Sequence, residues 1–432
     1  MNIATVSEAT GEVSKEATSS YVVRRSRLVG TVSVSGAKNS VLRLLAASLL
    51  TGDNITLKNY PVGLLDAKVH VQMLEALGKR CVIEGEEITI TEPRPPLSRL
   101  DWEGRSIRNT LLILGALVAR TGEGAVPLPG GCKLGDRKYD LHEMLLQRLG
   151  AEVWEEDGML CARAAGCLVG ADIHLPIRST GATENAIICG TLARGVTRVW
   201  NPHIRPEILD LIHLLQGMGA RIRVYGQEHI EVTGVEGLHG VKHEVISDNM
   251  EAITWLIASV VTGGDIEIFN FPYRDLEVPL IHLRESGARF FRGDNSLIVR
   301  GGRCYPVDIS TGPYPGINSD MQPLFAVYGA VARGETRVID LRFPGRYAYA
   351  EELEKMGVSY AIDGNLLKIS GGKPLHGAEV RALDLRAGIA LTLVGLVAEG
   401  RTVLRDAWQV ERGYNDFVHK MQQLGGSISY GS

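Results

Sequence analysis

The sequence predicts an α/β protein of two domains, each assembled from three similar units, and three observations carry that prediction. The chain is 432 residues long, more than one ordinary hydrophobic core organises. A small or apolar residue followed by Gly recurs at the end of a helix-like run, just before a short strand: Leu77-Gly78, Leu149-Gly150, Met218-Gly219, Ser286-Gly287, Met356-Gly357 and Leu424-Gly425. A second marker keeps the same phase. An Ala/Leu/Val-rich helix stops at Gly52, Gly122, Gly195, Gly263, Gly334 and Gly400, and a strand starts at once. Gly just past the last helical turn is the expected stop, because only Gly turns left-handed without a Cβ clash. Successive markers stand roughly 70 residues apart, room for about two helices and three or four strands.

The elements follow in order. Residues 1–20 mix Ser, Thr, Ala and Glu and lack a basic start with an apolar core, so they read as a disordered extension and not a signal peptide. Thr31-Val-Ser-Val alternates as a strand and leads through Gly36-Ala37-Lys38-Asn39 into the apolar helix Val41 to Leu50. After each X-Gly pair the pattern is a hairpin, such as Cys81-Val-Ile and Ile88-Thr-Ile around Glu84-Gly85-Glu86, or Phe290-Phe291 and Leu297-Ile-Val around Asp294-Asn295. Ser106-Ile107-Arg108-Asn109 opens the apolar helix Thr110 to Val118. Pro313-Tyr-Pro-Gly316 makes a rigid turn before Asp320, which stands where a helix N-cap belongs.

Composition narrows the function. An apolar fraction of 45%, a charged fraction of 22% and a net charge of −4 describe a globular protein with no global pull toward nucleic acid or an anionic membrane. Nothing approaches the length of a spanning apolar helix. The six cysteines form no CxxC pair and the eleven histidines no HExxH. Reduced thiols in a cytoplasmic protein fit this pattern, whereas a metal site or a bound cofactor has no support in it.

Any anionic ligand therefore needs local cations. Lys38 and Asn39 sit at a strand-to-helix junction, where free N–H groups favour an anion, although a solvated lysine beside an Asn cap is the plainer reading. Pro129-Gly-Gly-Cys132-Lys-Leu-Gly-Asp-Arg137 sets one thiol among glycines and cations. That is the setting of a reactive cysteine on a loop able to close. Arg108, Arg346, Arg386 and Arg412 each stand near a helix start or turn, and guanidinium forks suit a substrate carrying phosphate and carboxylate. Asp320, beyond its capping position, is placed to take a proton from a hydroxyl.

These residues resemble the enolpyruvyl transferases, most closely the branch acting on UDP-N-acetylglucosamine. The likeness runs from about Val32 to Ile428 and includes Gly36-Ala-Lys-Asn39, Leu128-Pro-Gly-Gly-Cys132, Asp140-Leu-His142, Thr180-Gly-Ala-Thr183, Ser319-Asp-Met-Gln322, Asp384-Leu-Arg-Ala387 and Arg412-Gly-Tyr414. The resemblance implies a two-lobed inside-out α/β barrel of six similar units, with the active site where the lobes face each other. It implies a first lobe, 38–245, inserted into a second formed by 21–37 and 246–432. It also implies the reaction, in which an acceptor hydroxyl adds to phosphoenolpyruvate and phosphate leaves. Cys132 matches the family's proton donor and covalent partner. Lys38, Arg137 and Arg412 match phosphate-binding cations, Arg346 and Arg386 positions near the carboxylate, and Arg108 another active-site arginine. Asp320 matches the carboxylate near the acceptor hydroxyl and Asn39 a contact to the acceptor sugar. Lys138, Tyr139, Asp140 and Leu141 fall on the nucleotide-base loop, and Arg178, Ser179, Thr180 and Gly181 on a phosphate-binding turn. Losing one fixed cation aimed at developing charge costs about 3 kcal/mol.

Departures cluster on the acceptor side. Asn59-Tyr-Pro-Val-Gly-Leu-Leu-Asp66 lacks the family's lysine and is one residue longer. Lys138-Tyr139-Asp140 replaces Pro-Val-Asp, the cation before Ser179 moves to Arg178, and Arg205 stands where an acid is common. The partners expected are phosphoenolpyruvate and a uridine nucleotide. UDP-N-acetylglucosamine is the family default, and a ribose hydroxyl of UMP, as in nucleoside-antibiotic pathways, is the alternative. A non-catalytic nucleotide-binding paralogue is a remote third reading.

Overall fold

The structure, a computed structural model, describes residues 19–129 and 139–431. Backbone contacts divide these residues into two compact units, one spanning Gly36–Ile246 and the other joining residues 19–35 to the chain from Ser247 onward.

The first unit holds three sheets. Their strand orders are Val241–Glu244, Ile55–Lys58, Glu87–Thr91, Arg80–Glu84; then Glu123–Pro127, Met159–Ala164, Ala151–Glu156; then Asp172–His174, Val196–Trp200, His229–Thr233, Arg221–Tyr225. In the two four-stranded sheets the first pair is parallel and the rest antiparallel. In the three-stranded sheet a single parallel bridge from Arg99 to Ala125 takes the place of the extra strand. The second unit repeats the parallel–antiparallel–antiparallel order in all three of its sheets.

Side-chain chemistry explains the layering within each unit. Thr110–Ala119 are buried on every face of their helix, and so are all residues of Asn249–Val261 and Leu385–Gly395. A helix apolar all round has to lie inside. Strands such as Val196–Trp200 and Asp265–Phe269 alternate buried and half-exposed residues, so their sheets cover the helices with one face and meet water with the other. The glycines of the recurring X-Gly pairs all turn left-handed, with φ between 80° and 103°. The hairpin at Asp157-Gly158 also has positive φ at both residues (50° and 75°), as a tight two-residue turn demands.

The sixth sheet departs from a reading based on local sequence. Its second hairpin strand comes from the start of the chain: Ser20–Arg24 lies between Arg401–Arg405 and Ser427–Gly431, antiparallel to both. Tyr21 and Val23 are fully buried there. Ser20, assigned above to the extension, therefore already pairs with Gly431. The strand Val29–Ser33 pairs parallel with Asp265–Phe269 in the second unit, while Val241–Glu244 pairs with Ile55–Lys58 in the first.

Buried carboxylates pin the chain where it passes from one unit to the other. In the first unit Asp210 accepts from Ser40 Oγ and from His243 Nε2 at 2.7 Å. In the second Glu251 accepts from the Ser35 amide at 2.9 Å, Trp255 Nε1 at 3.0 Å and Lys420 Nζ at 2.6 Å. Among the described residues no helix is long and apolar enough to cross a membrane, and no cluster of three potential metal ligands occurs.

Candidate active site

Lys38 is the first residue of the helix Lys38–Ala47, which begins earlier than the apolar pattern suggested and has Ala37, not Asn39, as its N-cap. Its Nζ lies 2.9 Å from Asp66 Oδ2, with both side chains nearly buried. Asp66 belongs to the segment that lacks the family's lysine, and it sits in the first turn of Leu65–Ala76. The ion pair fixes Lys38 at the helix N-terminus and balances its charge.

Arg108 lies just ahead of the helix Thr110–Thr121 and is half-buried. It faces His142, whose imidazole is pushed down to about 3 by burial first and the Arg108 charge second. His70 is pushed to about 3 in the same way, by burial and then Arg43. A folded state that refuses protons taken up by the unfolded chain near pH 6.5 loses stability as pH falls from that value toward 3. The melting temperature is accordingly expected to drop between pH 7 and pH 4, and His70→Gln to flatten the drop. An unchanged slope in that variant would contradict the assignment.

Asp140 and Leu141 line a recess of about 410 Å³ with Met144, Arg148, His174 and Pro176. Tyr139 is the N-cap residue of Asp140–Arg148. Ser179 caps the helix Thr180–Leu192 by accepting from the Ala182 amide, and Thr180 Oγ1 lies 2.8 Å from His203 Nδ1. Arg178 donates to Asn201 Oδ1 at 3.2 Å. Arg205 forms a two-pronged contact with Glu207 at 2.6 and 2.8 Å. Burial alone would raise the Glu207 carboxyl, but Arg205 overrides it and holds the pKa down. Cys132, Arg137 and Lys138 lie outside the described residues.

The second unit builds the tightest constellation. Asp320 Oδ1 accepts from Arg346 Nη1 at 3.0 Å, and Oδ2 from Arg386 Nη2 at 3.3 Å. The N-cap role read for Asp320 belongs instead to Asn318, whose side chain accepts from the Asp320 amide. Asp384 caps the helix Leu385–Gly395 through the Arg386 and Ala387 amides and also meets Arg346 Nη2 at 3.5 Å. Arg386 is only 6% exposed. Burial disfavours its charge, yet the Asp320 carboxylate outweighs that and raises its pKa. Its Nη1 lies 3.5 Å from Tyr414 OH, which in turn is 2.8 Å from Thr254 Oγ1. Arg412, capping the short helix Trp408–Glu411, donates to Gln409 at 3.0 Å.

The charged residues share one position in the repeat. Lys38, Arg108, Gly181, Asn249, Asp320 and Arg386 each stand fourteen residues before the glycine that closes their helix run. The same point of the repeat supplies four of the charged candidates. Asp66, Asp384 and His142 orient or face these charges, roles that their short motifs do not announce.

Comparison with known proteins shows the family and the fold. Residues 22–421 match the family described as EPSP synthase (3-phosphoshikimate 1-carboxyvinyltransferase). The chain is 41% identical over 410 residues to UDP-N-acetylglucosamine 1-carboxyvinyltransferase 1 of Carboxydothermus hydrogenoformans, covering 94% of this chain and 97% of that protein. It is 38% identical to the enzyme of the same name from Caldanaerobacter subterraneus subsp. tengcongensis, covering 94% and 98%. Among solved structures, the enolpyruvyl transferase NikO from Streptomyces tendae superposes with a TM-score of 0.86 at 27% identity, over 96% of this chain and 99% of that one. EPSP synthase from Acinetobacter baumannii shares the fold alone, with a TM-score of 0.74 at 18% identity over 96% and 100% of the two chains. The chain belongs to the enolpyruvyl transferase family and is an enzyme with that family's α/β fold of mixed sheets.

Proposed function

We propose that this enzyme transfers the carboxyvinyl group of phosphoenolpyruvate to a hydroxyl of UDP-N-acetylglucosamine, releasing phosphate. The observation that carries the proposal is near end-to-end identity of 38–41% with enzymes named for that reaction. In the addition step the acceptor oxygen bonds to the central carbon of phosphoenolpyruvate while a proton reaches its methylene carbon. In the elimination step that carbon returns a proton, the double bond re-forms and phosphate departs.

Cys132 supplies the proton and Asp320 receives the one from the acceptor hydroxyl. Lys38, Arg137 and Arg412 hold the phosphate end of phosphoenolpyruvate, Arg346 and Arg386 lie near its carboxylate, and Arg108 is a further arginine binding the same substrate. Asn39, Lys138, Tyr139, Asp140, Leu141 and Arg178–Gly181 hold the acceptor. The interlocked Asp320–Arg346–Arg386 set, with both guanidiniums nearly buried, supports these roles, since fixed charges need no reorganisation when substrate arrives. We also infer the six-unit inside-out barrel, its lobes 38–245 and 21–37 with 246–432, and a cytoplasmic setting. The repeated strand order, the all-round burial of Asn249–Val261 and Leu385–Gly395 and the unpaired buried thiols among the described residues support that reading.

A second acceptor is favoured by specific contacts. Arg178 is engaged with Asn201 and Arg205 with Glu207, so the cations near the Ser179 turn are arranged differently from the family pattern. A single phosphate, as in UMP, is the ligand that arrangement suggests. Phosphate release measured with phosphoenolpyruvate and either nucleotide ranks the two. A higher kcat/KM is expected with UDP-N-acetylglucosamine; a higher value with UMP would shift the reading to the second acceptor.

A further inference from the structure

One side chain with no role above lies against the acceptor end of the first unit. His142, third residue of the helix Asp140–Arg148, is 6% exposed. Its Nδ1 is 3.1 Å from Asn185 Nδ2, whose amide orientation is set by donation to the Leu111 carbonyl at 3.2 Å. An amide nitrogen only donates, so Nδ1 accepts and the ring proton sits on Nε2.

Nε2 has no hydrogen-bond partner among the described residues. It faces Gly181, where an added Cβ would stand 3.2 Å away. Gly181 occupies the repeat position filled elsewhere by Lys38, Arg108, Asp320 and Arg386. Here the missing side chain leaves an N–H donor beside the first turn of the 13-residue helix Thr180–Leu192, an end that favours anions.

We propose that His142 is a binding residue for the acceptor, its Nε2–H donating to a phosphate oxygen of the nucleotide held at the Thr180–Leu192 N-terminus. The proposal rests on the carboxyvinyl-transfer reading and extends it by one donor. Burial and Arg108 hold the imidazole neutral across the neutral range, so the donor persists without a charge. A neutral donor adds direction to a site whose charge comes from elsewhere.

The test compares binding of UMP and of uridine by calorimetry in the wild type, His142→Leu, His142→Gln and Gly181→Ala. His142→Leu is expected to weaken UMP at least fivefold and leave uridine unchanged. His142→Gln restores a donor and should recover most of the loss. Gly181→Ala sets a methyl carbon 3.2 Å from Nε2 and should reproduce the UMP-selective loss even if His142→Leu folds poorly. Equal weakening of UMP and uridine, or no weakening in Gly181→Ala, overturns the proposal. Absence of phosphate release by the wild type with every uridine nucleotide would instead overturn the transfer reading.

Discussion

Cys132→Ser is expected to lower kcat by about 10²–10⁴-fold, the usual worth of a positioned proton donor. Protonating the methylene carbon of phosphoenolpyruvate requires an acid strong enough to act at neutral pH. A thiol in an electropositive loop qualifies, whereas a serine hydroxyl is too weak an acid. An epoxide phosphonate shaped like phosphoenolpyruvate should alkylate the same residue. The other cysteines act as internal controls. Cys81 and Cys189 are buried, and burial pushes their thiols up and out of reach of such chemistry. Cys167 is exposed but stands in no comparable loop. Peptide mapping that finds the label on Cys167, or unchanged turnover in Cys132→Ser, would remove Cys132 from the mechanism.

The second large effect belongs to Asp320→Asn. As the base for the acceptor hydroxyl, Asp320 is expected to contribute about 10²–10⁴ in kcat. The same carboxylate balances two nearly buried guanidiniums, so its loss reaches stability as well. Asn keeps an acceptor oxygen but no charge. Arg346 retains Asp384 at 3.5 Å, while Arg386 loses the carboxylate 3.3 Å from its Nη2. A destabilisation of about 1–3 kcal/mol is expected. Phosphoenolpyruvate, itself an anion, should offset part of it, raising the melting temperature more in Asp320→Asn than in the wild type. Wild-type kcat in the variant would show that Asp320 only braces the arginines.

What the sequence made legible was local and periodic. The X-Gly pairs announced their units because a left-handed residue ending a helix is a backbone requirement, visible wherever Gly recurs in phase. Pairings between distant segments were not legible. Tyr21 and Val23 look like any short strand, and nothing near them says that their partners lie around Leu404 and Tyr430. The charged site divides in the same way. Arg346, Arg386 and Asp320 were found as separate motifs, but their mutual hydrogen bonds depend on how helix starts align across a unit. Lys38 stands at a helix start that suits an anion, and its bond to Asp66 is not legible because that partner sits in the segment departing most from the family.

The central claim is group transfer from phosphoenolpyruvate to a uridine nucleotide, and the most direct measurement is the mass of the product. Purified protein incubated with phosphoenolpyruvate and UDP-N-acetylglucosamine or UMP should convert one of them to its carboxyvinyl ether, with one phosphate released per ether formed. Recovery of both nucleotides unmodified, or phosphate release without an ether, would contradict it.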